Sequence, residues 1–366
     1  MFDVIASPLV NLGCAAWLAK LIVQVVVFFV VAIGMTVNVM AVVFLERRVL
    51  ALFTVRLGPN RVGPNGVLQL VADAIKLIYK EDVVPADTHK FIFTLAPILA
   101  FAPVLILYGL LPFGSGVSFV DTAAGLFLFL AISSLSVVGV MLAGWASNNK
   151  YSLLGAVRSI AQAISYEVPL VLSILSVIII AGSMRLDDIV QVQAASGAGW
   201  NLWTMLALKN PLGLFVFFIC MLGELNRTPF DLSEAESELV SGYNTEYSGM
   251  KFGMFFFAEY AAFFALSMVT VTLFFGGYLS PFGGYLAPHL AGWLKIGAGW
   301  IPFLTGLEQF GWVMAKSYAV VIVVLWIRAT LPRVRIDQFM GFSWKFLLPL
   351  ALINIVAASV IRLLLK

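Results

Sequence analysis

The sequence predicts an all-α integral membrane protein that crosses the bilayer about eight times. Of its 366 residues, 61% are hydrophobic and only 11% are charged, whereas a soluble domain has about 25% charged residues. The apolar residues form charge-poor runs of about 20 positions or more, too long for the strands of a membrane barrel. Because lipid offers the backbone no hydrogen-bond partners, these runs must be helices.

The first run shows the pattern most clearly. Residues 21–45 carry no charge over 25 positions, more than the roughly 7–15 apolar residues of a cleaved signal peptide. We therefore expect a membrane helix there. The chain shows no internal repeat, so residues 1–366 are interpreted as one membrane domain. Its predicted spans are 21–45, 91–112, 122–146, 158–182, 203–224, 252–277, 310–328 and 345–363.

The basic residues predict which side each connection faces. One alternate set of connections holds 15 Lys and Arg residues, and the opposite side, with both termini, holds six. The positive-inside rule then places the first set in the cytoplasm and both termini in the periplasm. A ninth span at 285–304 would reverse the last basic connection, so we expect an interfacial or re-entrant segment there. The basic connections are 46–90, 147–158, 225–251 and 328–345.

The first basic connection contains two patterned stretches. Residues 56–66 include three Gly and two Pro, which predicts a fixed turn region. Residues 67–80 show polar and apolar stripes at helical spacing, which predicts a short amphipathic helix at the membrane surface. The pattern is typical both of a simple interfacial anchor and of a helix that forms part of a site. The polar stripe is Gln69, Asp73, Lys76 and Lys80, and the apolar stripe is Leu68, Val71, Ile75 and Ile78.

Three acids lie inside or at the ends of predicted spans, where a charge costs about 2.5–3.5 kcal/mol on insertion scales. Glu167 lies within the fourth span, Glu224 ends the fifth, and Glu259 is near the start of the sixth. Such positions indicate function, although Glu224 and Glu259 also fit ordinary helix ends that reach the headgroups. Lys316 is a fourth candidate, nearer the outer side.

The connection 224–247 is acidic on a side that is otherwise basic, and Arg227 is its only basic residue. Ser233 and Glu236 form a capping-box pattern that predicts the start of a short helix. Its Thr-Pro-Phe and Gly-Tyr segments favour an ordered structure. We expect this loop to lie beside a chain of acids in the membrane or under a cationic partner. Besides Glu224, its acids are Asp231, Glu234, Glu236, Glu238 and Glu246.

The few cysteines and histidines limit the cofactor chemistry. Cys14, Cys220, His89 and His289 each stand alone in the sequence. The chain therefore provides no ligand set for an iron–sulfur cluster, haem or structural zinc. The motifs GxGxxG, GxxxxGK[ST] and GxSxG do not occur, which leaves nucleotide binding and serine hydrolysis without support.

Several segments carry a resemblance to a known family. The most specific are 66–76 and 229–242, and shorter ones are 45–48, 56–60, 144–148, 165–168 and 326–328. Together they resemble the NADH dehydrogenase subunit 1 family, whose bacterial members belong to respiratory complex I. The resemblance runs from about residue 20 to 363. Leu70 departs from it, because many members carry Pro there, but the change touches no charge.

The resemblance implies a membrane subunit of a proton-pumping NADH:quinone oxidoreductase, without a redox centre and not catalytic alone. It would form the foot of the peripheral arm and much of a tunnel for the substrate, ubiquinone or another quinone. No iron–sulfur cluster, haem or flavin is expected in this chain, and the electrons would come from an iron–sulfur cluster in a partner subunit. The implied partners are the peripheral iron–sulfur and quinone-site subunits, the small membrane subunits and the lipid bilayer, without nucleic acid. The implied location is the bacterial inner membrane.

The resemblance also assigns roles to particular residues. The tunnel mouth and its charged middle would be Glu46, Arg47, Arg56, Asp73 and Lys76. An acidic path towards the proton-pumping subunits would use Glu167, Glu224 and Glu259. The loop facing the quinone chamber would contribute Asp231, Glu234, Glu236, Glu238 and Glu246. Quinone reduction would change the charge near this loop, and the closely spaced acids would respond as a coupled set.

Three other functions fit parts of the pattern. The membrane anchor of an energy-converting hydrogenase shares the fold and several acids, but the Arg-rich segment 46–61 favours a quinone enzyme. An independent proton-coupled transporter fits the intramembrane acids, but the chain lacks a repeat, and such a protein could be purified active alone. A purely structural anchor would tolerate charge-neutral substitutions in the acidic loop.

Overall fold

The computed structural model describes residues 16–115, 118–194, 205–232, 240–282, 284–286 and 300–364. Seven helices in these ranges are long and apolar enough to cross a membrane, which confirms the all-α polytopic fold. A short π-helical turn, Ser343–Leu347, joins the last two helices. The helices are α1 (Ala16–Phe53), α2 (Gln69–Tyr79), α3 (Lys90–Leu110), α4 (Gly125–Ala146), α5 (Lys150–Ala181), α6 (Leu186–Val192), α7 (Leu206–Lys209), α8 (Pro211–Glu224), α9 (Gly249–Phe274), α10 (Ile301–Thr330), α11 (Ile336–Phe342) and α12 (Leu348–Leu364).

The structure departs from the predicted fifth span, 203–224. Residues 203–204 lie outside the described part, and the four-residue α7 is separated from α8 at Asn210. The side-chain oxygen of Asn210 accepts a hydrogen bond from the Gly213 amide at 3.0 Å, and Pro211 starts the helix. These are strong start signals for a new helix. The 14 residues of α8 therefore span about 21 Å, less than the roughly 30 Å of a hydrocarbon core.

Helix α10 begins at Ile301, nine positions before the predicted start at 310. Two other expectations concern segments that lie largely outside the described residues. Residues 287–299, which make up most of the segment 285–304, lie outside the described ranges. The same holds for 233–239, which include the predicted capping box of Ser233 and Glu236.

The amphipathic helix predicted for residues 67–80 is present as α2. Its apolar stripe points away from the protein, since Val71, Ile75 and Ile78 are all exposed. Leu70 is buried and attaches the helix to the rest of the fold. The apolar stripe is therefore available to lipid or to another subunit, whereas Gln69 and Asp73 of the polar stripe are half-buried.

Helices α5 and α9 form the centre of the bundle. Helix α9 is the most deeply buried of the long helices, and α5 is next. Helix α5 packs against α4, α8 and α12, whereas α9 packs against α1, α3 and α10. Glycine allows close packing where α8 crosses α5, because a Cβ on Gly223 would lie 2.5 Å from the ring of Tyr166. The acids of the predicted site are carried by these central helices and their connections.

Candidate functional site

A cavity of about 540 Å³ lies between the end of α1, helix α2 and the start of α9. Arg47, Asp73 and Lys76, three of the residues predicted from the sequence, line it together with Lys80. Its opposite wall comes from the turn before α9 and from two aromatic side chains. These wall residues include Ser241, Asn244, Thr245, Tyr247, Ser248, Phe252 and Phe256. Three cations and one anion make the cavity electropositive, with an apolar patch on one side.

Arg47 and Asp73 form an ion pair across this cavity. Arg47 Nη1 lies 2.6 Å from Asp73 Oδ2, and Gln69 Nε2 donates to Asp73 Oδ1 at 3.0 Å. Partial burial raises the pKa of the Asp73 carboxyl, but the hydrogen bonds from Gln69 and Arg47 outweigh it and lower the pKa overall. Asp73 therefore stays ionised and holds the Arg47 guanidinium at the cavity wall. The Arg47 side chain is 40% exposed, so solvent screens the pair.

Arg56 stands apart from the cavity. It lies in the turn after α1, is exposed, and is fixed through its amide, which donates to the Ala51 carbonyl at 2.9 Å. Its neighbours Val55 and Leu57 are 93% and 86% exposed. This turn presents apolar and basic groups outside the predicted spans, a composition typical of a protein interface.

Glu46, the residue before Arg47, lies in a buried environment instead. Glu46 is 5% exposed and pairs with two arginines: its Oε2 lies 3.1 Å from Arg227 Nη1, and its Oε1 accepts from Arg328. Arg227 Nη2 lies 3.0 Å from Glu259 Oε1. The guanidinium of Arg227 also lies 4.4 Å from the ring centre of Tyr260. Two carboxylates and two guanidinium groups thus form an ion cluster, Glu46–Arg227–Glu259–Arg328. Its centre is buried, because the side chains of Arg227 and Glu46 are 3% and 7% exposed, whereas those of Glu259 and Arg328 are 23% and 29% exposed. We call it the buried ion cluster.

This buried ion cluster joins α1, α9, α10 and the start of the acidic connection. Glu46 and Glu259 were predicted from the sequence as site residues, whereas Arg227 and Arg328 were not. The sequence does contain a feature that singles out Arg227, because it is the only basic residue between Glu224 and Tyr247. Buried charges need such partners, since an isolated ion in the interior costs several kcal/mol.

A second, smaller cavity of about 80 Å³ lies next to this cluster. Glu224 and Glu259 both line it, with Asn226, Ser136 and Tyr243. Glu224 Oε2 is buried and accepts no hydrogen bond from any described residue. The volume exceeds the roughly 10–15 Å³ that one water molecule requires, and its polar walls can bind water. The cavity can therefore connect the two carboxylates through water.

Glu167 extends this series of acids. It is half-buried on α5 and close enough to Glu224 for the two carboxylates to repel each other. Among the described residues no cation forms an ion pair with it. The structure thus places Glu224 of α8 near both Glu259 of α9 and Glu167 of α5.

The remaining acids of the connection 224–247 have separate partners. Asp231 Oδ2 lies 3.2 Å from Arg333 Nη2, and Glu246 Oε1 accepts from Asn149 Nδ2 at 2.6 Å. Neither acid joins the buried ion cluster. The acids predicted at Glu234, Glu236 and Glu238 lie outside the described residues.

The start of this connection is held in place by α5. Gln162 Nε2 donates to the carbonyls of Gly223 and Phe230 at 2.7 and 2.9 Å. One amide therefore bridges the end of α8 and the turn that carries Arg227. The bridge therefore holds together the two ends of the segment that carries Arg227.

The hydrogen bonds of Lys316, the fourth intramembrane candidate, indicate a structural role for this side chain. Its Nζ donates to three backbone carbonyls that follow α9, at 2.7–3.0 Å. These carbonyls belong to Phe275, Gly277 and Leu279. The buried side chain of Gln193 donates to the last-turn carbonyls of Thr272 and Leu273. Lys316 and Gln193 together cap one end of α9.

Comparisons with known proteins agree with this architecture. The sequence model of a family described as NADH dehydrogenase matches residues 23–359. The chain is 46% identical to the NADH-quinone oxidoreductase H subunit of Dehalococcoides mccartyi strain CBDB1, over 92% of this chain and 86% of the relative. It is 43% identical to the corresponding protein of Brevibacillus brevis, over 99% and 98%, and 47% identical to that of Salinibacter ruber, over 89% and 92%. The chain therefore belongs to the NADH dehydrogenase family, and the three relatives compared are H subunits of NADH-quinone oxidoreductase.

Proposed function

We propose that this chain forms the entry cavity for quinone and the first part of a charged path that couples quinone reduction to proton translocation. The observation that carries the proposal is the adjacency of Glu46 and Arg47 at the end of α1. Arg47 lines the 540 Å³ cavity, and Glu46 belongs to the buried ion cluster. A change of charge in the cavity therefore acts on the cluster through neighbouring residues of one helix.

The composition of the cavity suits a quinone. Phe252 and Phe256 supply an apolar wall for the ring and the start of its tail, and Arg47, Lys76 and Lys80 supply positive charge. Cations placed where negative charge develops lower the cost of adding electrons to the headgroup. In this proposal the electrons come from an iron–sulfur cluster in a partner protein of the complex.

The coupling path begins at the buried ion cluster. Arg227 lies between Glu46 and Glu259, so a shift in its position changes the electrostatic environment of Glu259. From Glu259, the 80 Å³ cavity leads to Glu224, and Glu167 follows. Water in this cavity would carry a proton between acids that titrate as a coupled set. Asp231, Glu246 and the acids of 233–239 would lie on the quinone side of this path.

The turn around Arg56 is proposed as the contact for the peripheral subunits. Leu52, Val55 and Leu57 are 76%, 93% and 86% exposed, next to Arg56. Leu52 lies in the last turn of α1, and Val55 and Leu57 follow the helix. Exposed apolar side chains at such a position are typical of a surface that another protein covers. In this proposal the turn lies in the cytoplasm and both termini lie in the periplasm, on either side of the bacterial inner membrane.

The coupling role is tested with Glu224→Gln and Glu167→Gln in the assembled complex, reconstituted in liposomes. NADH:quinone activity and the number of protons moved per electron are measured together. We expect fewer protons per electron in both variants, since a neutral amide cannot carry the proton. The exposed acid Asp337 provides the control, and Asp337→Asn should leave the ratio unchanged. Full quinone reduction with full pumping in both Gln variants would exclude the proposed path.

A separate variant distinguishes a quinone enzyme from a hydrogenase anchor. Arg56→Ala removes an exposed cation from the turn after α1. We expect the complex to assemble and to lose quinone reductase activity, with a raised KM for quinone. Retained activity with an unchanged KM would remove the support that this segment gives to a quinone enzyme over a hydrogenase anchor.

A further inference from the structure

A third cavity, of about 270 Å³, lies deeper along α1 and away from the residues of the proposed path. It is enclosed by α1, α3, α9 and α10, and by residues that follow α3. Asn38 lines this cavity and Arg47 lines the 540 Å³ cavity. The nine positions between them correspond to about 14 Å along the helix, so the two cavities are at different depths.

The walls of this cavity are mainly aromatic. Five of its lining side chains carry rings: Tyr108, Phe113, Phe119, Phe264 and Phe310. Neighbouring rings are in contact, with centroids 6.2 Å apart for Phe113 and Phe119 and 6.0 Å apart for Phe113 and Phe310. None of the lining residues is charged. Such walls favour a flat, neutral ring, which stacks against or packs edge-on to aromatic side chains.

One polar group at the cavity has an unused donor. Asn38 is 6% exposed; its Nδ2 donates to Tyr108 Oη at 3.0 Å and its Oδ1 accepts from Tyr318 Oη at 2.6 Å. Tyr108 Oη donates onward to the Ala261 carbonyl. An amide carries two N–H donors, and the described residues use one of them. A ligand that satisfies the second donor must bring an acceptor such as a carbonyl oxygen.

The cavity opens towards lipid at Gly34. Gly34 is exposed at its edge, and the neighbouring side chains Val30, Ile33 and Val37 are 57–62% exposed on an apolar face of α1. A Cβ on Gly34 would meet no atom within 4 Å. A molecule dissolved in the bilayer can therefore enter sideways at this point.

We propose that this cavity binds a flat, uncharged, lipid-soluble carbonyl compound of the quinone class, at a site separate from the entry cavity. The ring packs among the five aromatic side chains, and a carbonyl accepts the second N–H of Asn38. The volume is sufficient, because a cavity of about 150 Å³ already holds benzene. The inference does not rest on the proposed function, since no residue of the coupling path lines this cavity.

The test uses the assembled complex in liposomes and a short-tailed quinone that carries a photoreactive azido group. After illumination, cross-linked peptides are mapped by mass spectrometry. We expect labels in segments 30–38 and 108–119, and we expect excess unlabelled short-tailed quinone to suppress them. Gly34→Leu fills the opening and should reduce this label about tenfold, the effect of closing a well-packed site. Leu is also a better helix former than Gly, so folding is preserved.

The matched control is Gly311→Leu on α10. A Cβ on Gly311 also meets no atom within 4 Å, and Gly311 does not line the cavity. The amount of cross-linked quinone in segments 30–38 and 108–119 should be the same in this variant as in the unmodified protein. Absence of label from both segments, equal label in Gly34→Leu, or suppression by added phosphatidylcholine as strong as by quinone would overturn the proposal. The last result would assign the cavity to lipid acyl chains. Cross-linked peptides that contain Arg47 or Asp73 are quantified separately, because they report binding in the entry cavity.

Discussion

The guanidinium of Arg227 lies 3.1 Å from the carboxylate of Glu46, although the two residues are 181 positions apart in the sequence. The side chains of both are at least 93% buried. A contact of this kind ties the start of the acidic connection to the end of α1. Arg227 also pairs with Glu259, so it is the cation that links the two acids.

Replacement of Arg227 by Met should strongly destabilise the assembled protein. The change leaves Glu259 without its ion-pair partner and Glu46 with Arg328 alone, and breaking a buried pair costs about 3–5 kcal/mol. The amount of intact complex after mild heating, measured on a native gel, reports the loss. Arg333→Met is the control, because the Arg333–Asp231 pair is partly exposed and should contribute at most about 1 kcal/mol.

A second substitution can identify the cause of that loss. Glu259→Gln added to Arg227→Met removes the carboxylate that the first change left unpaired. The double variant should recover part of the stability. A double variant that is no more stable than Arg227→Met would show that the Glu259 charge is not responsible.

Asp73→Asn should weaken quinone binding more than it slows turnover. Without the carboxylate, Arg47 loses the partner that holds it at the cavity wall. We expect KM for a short-tailed quinone to rise about fivefold, the effect of losing a solvent-screened pair of about 1 kcal/mol, with kcat little changed. Asp82→Asn is the control, because Asp82 pairs with Lys251 outside the cavity lining. An equal change in KM for both variants would contradict the assignment.

Gly223→Ala should push α8 away from α5. The new Cβ would lie 2.5 Å from the Tyr166 ring, and Tyr166 is fully buried. Overpacking of this kind costs about 1–3 kcal/mol, which should lower the melting temperature of the complex. Gly306→Ala on α10 provides the control, since its Cβ meets open space. If Tyr166→Leu does not relieve the effect of Gly223→Ala, the clash is not its cause.

Lys316→Met separates a structural role from a proton-carrying role. The change leaves the three carbonyls after α9 without their shared donor, and each buried unsatisfied group costs about 1–3 kcal/mol. We expect lower thermal stability and, in the surviving complex, an unchanged number of protons per electron. A fall in that number at normal stability would instead place Lys316 on the proton path.

Much of the fold could be predicted from charge alone, because a membrane helix requires a charge-poor run. The limit of this approach appears at α8. The run from 203 to 224 is largely apolar, so hydropathy gives one span, whereas Asn210 and Pro211 begin a new helix. The Asn210-Pro211 pair is a helix-start signal that can be recognised in the sequence. In the structure a new helix begins there, although the apolar run continues through it.

The candidate site was only partly predictable for a different reason. Asp73 and Lys76 share a face of α2, so their common position in one cavity followed from helical periodicity. The pairing of Glu46 with Arg227 and Arg328 joins segments 181 and 282 positions apart. One sequence contains no information on such pairings, since they depend on how the helices pack.

The capping of α9 by Lys316 and Gln193 has a mechanical consequence. The other end of α9, which borders the entry cavity, is held by the ion pair of Lys251 with Asp82 and by the hydrogen bond from the Val83 amide to Ser248 Oγ. Glu259 stands 15 positions before the last residue of the helix, about 22 Å from the capped end, on a helix that is anchored at both ends. A change in the 3.0 Å distance between Glu259 and Arg227 therefore requires a movement of Arg227 rather than of α9.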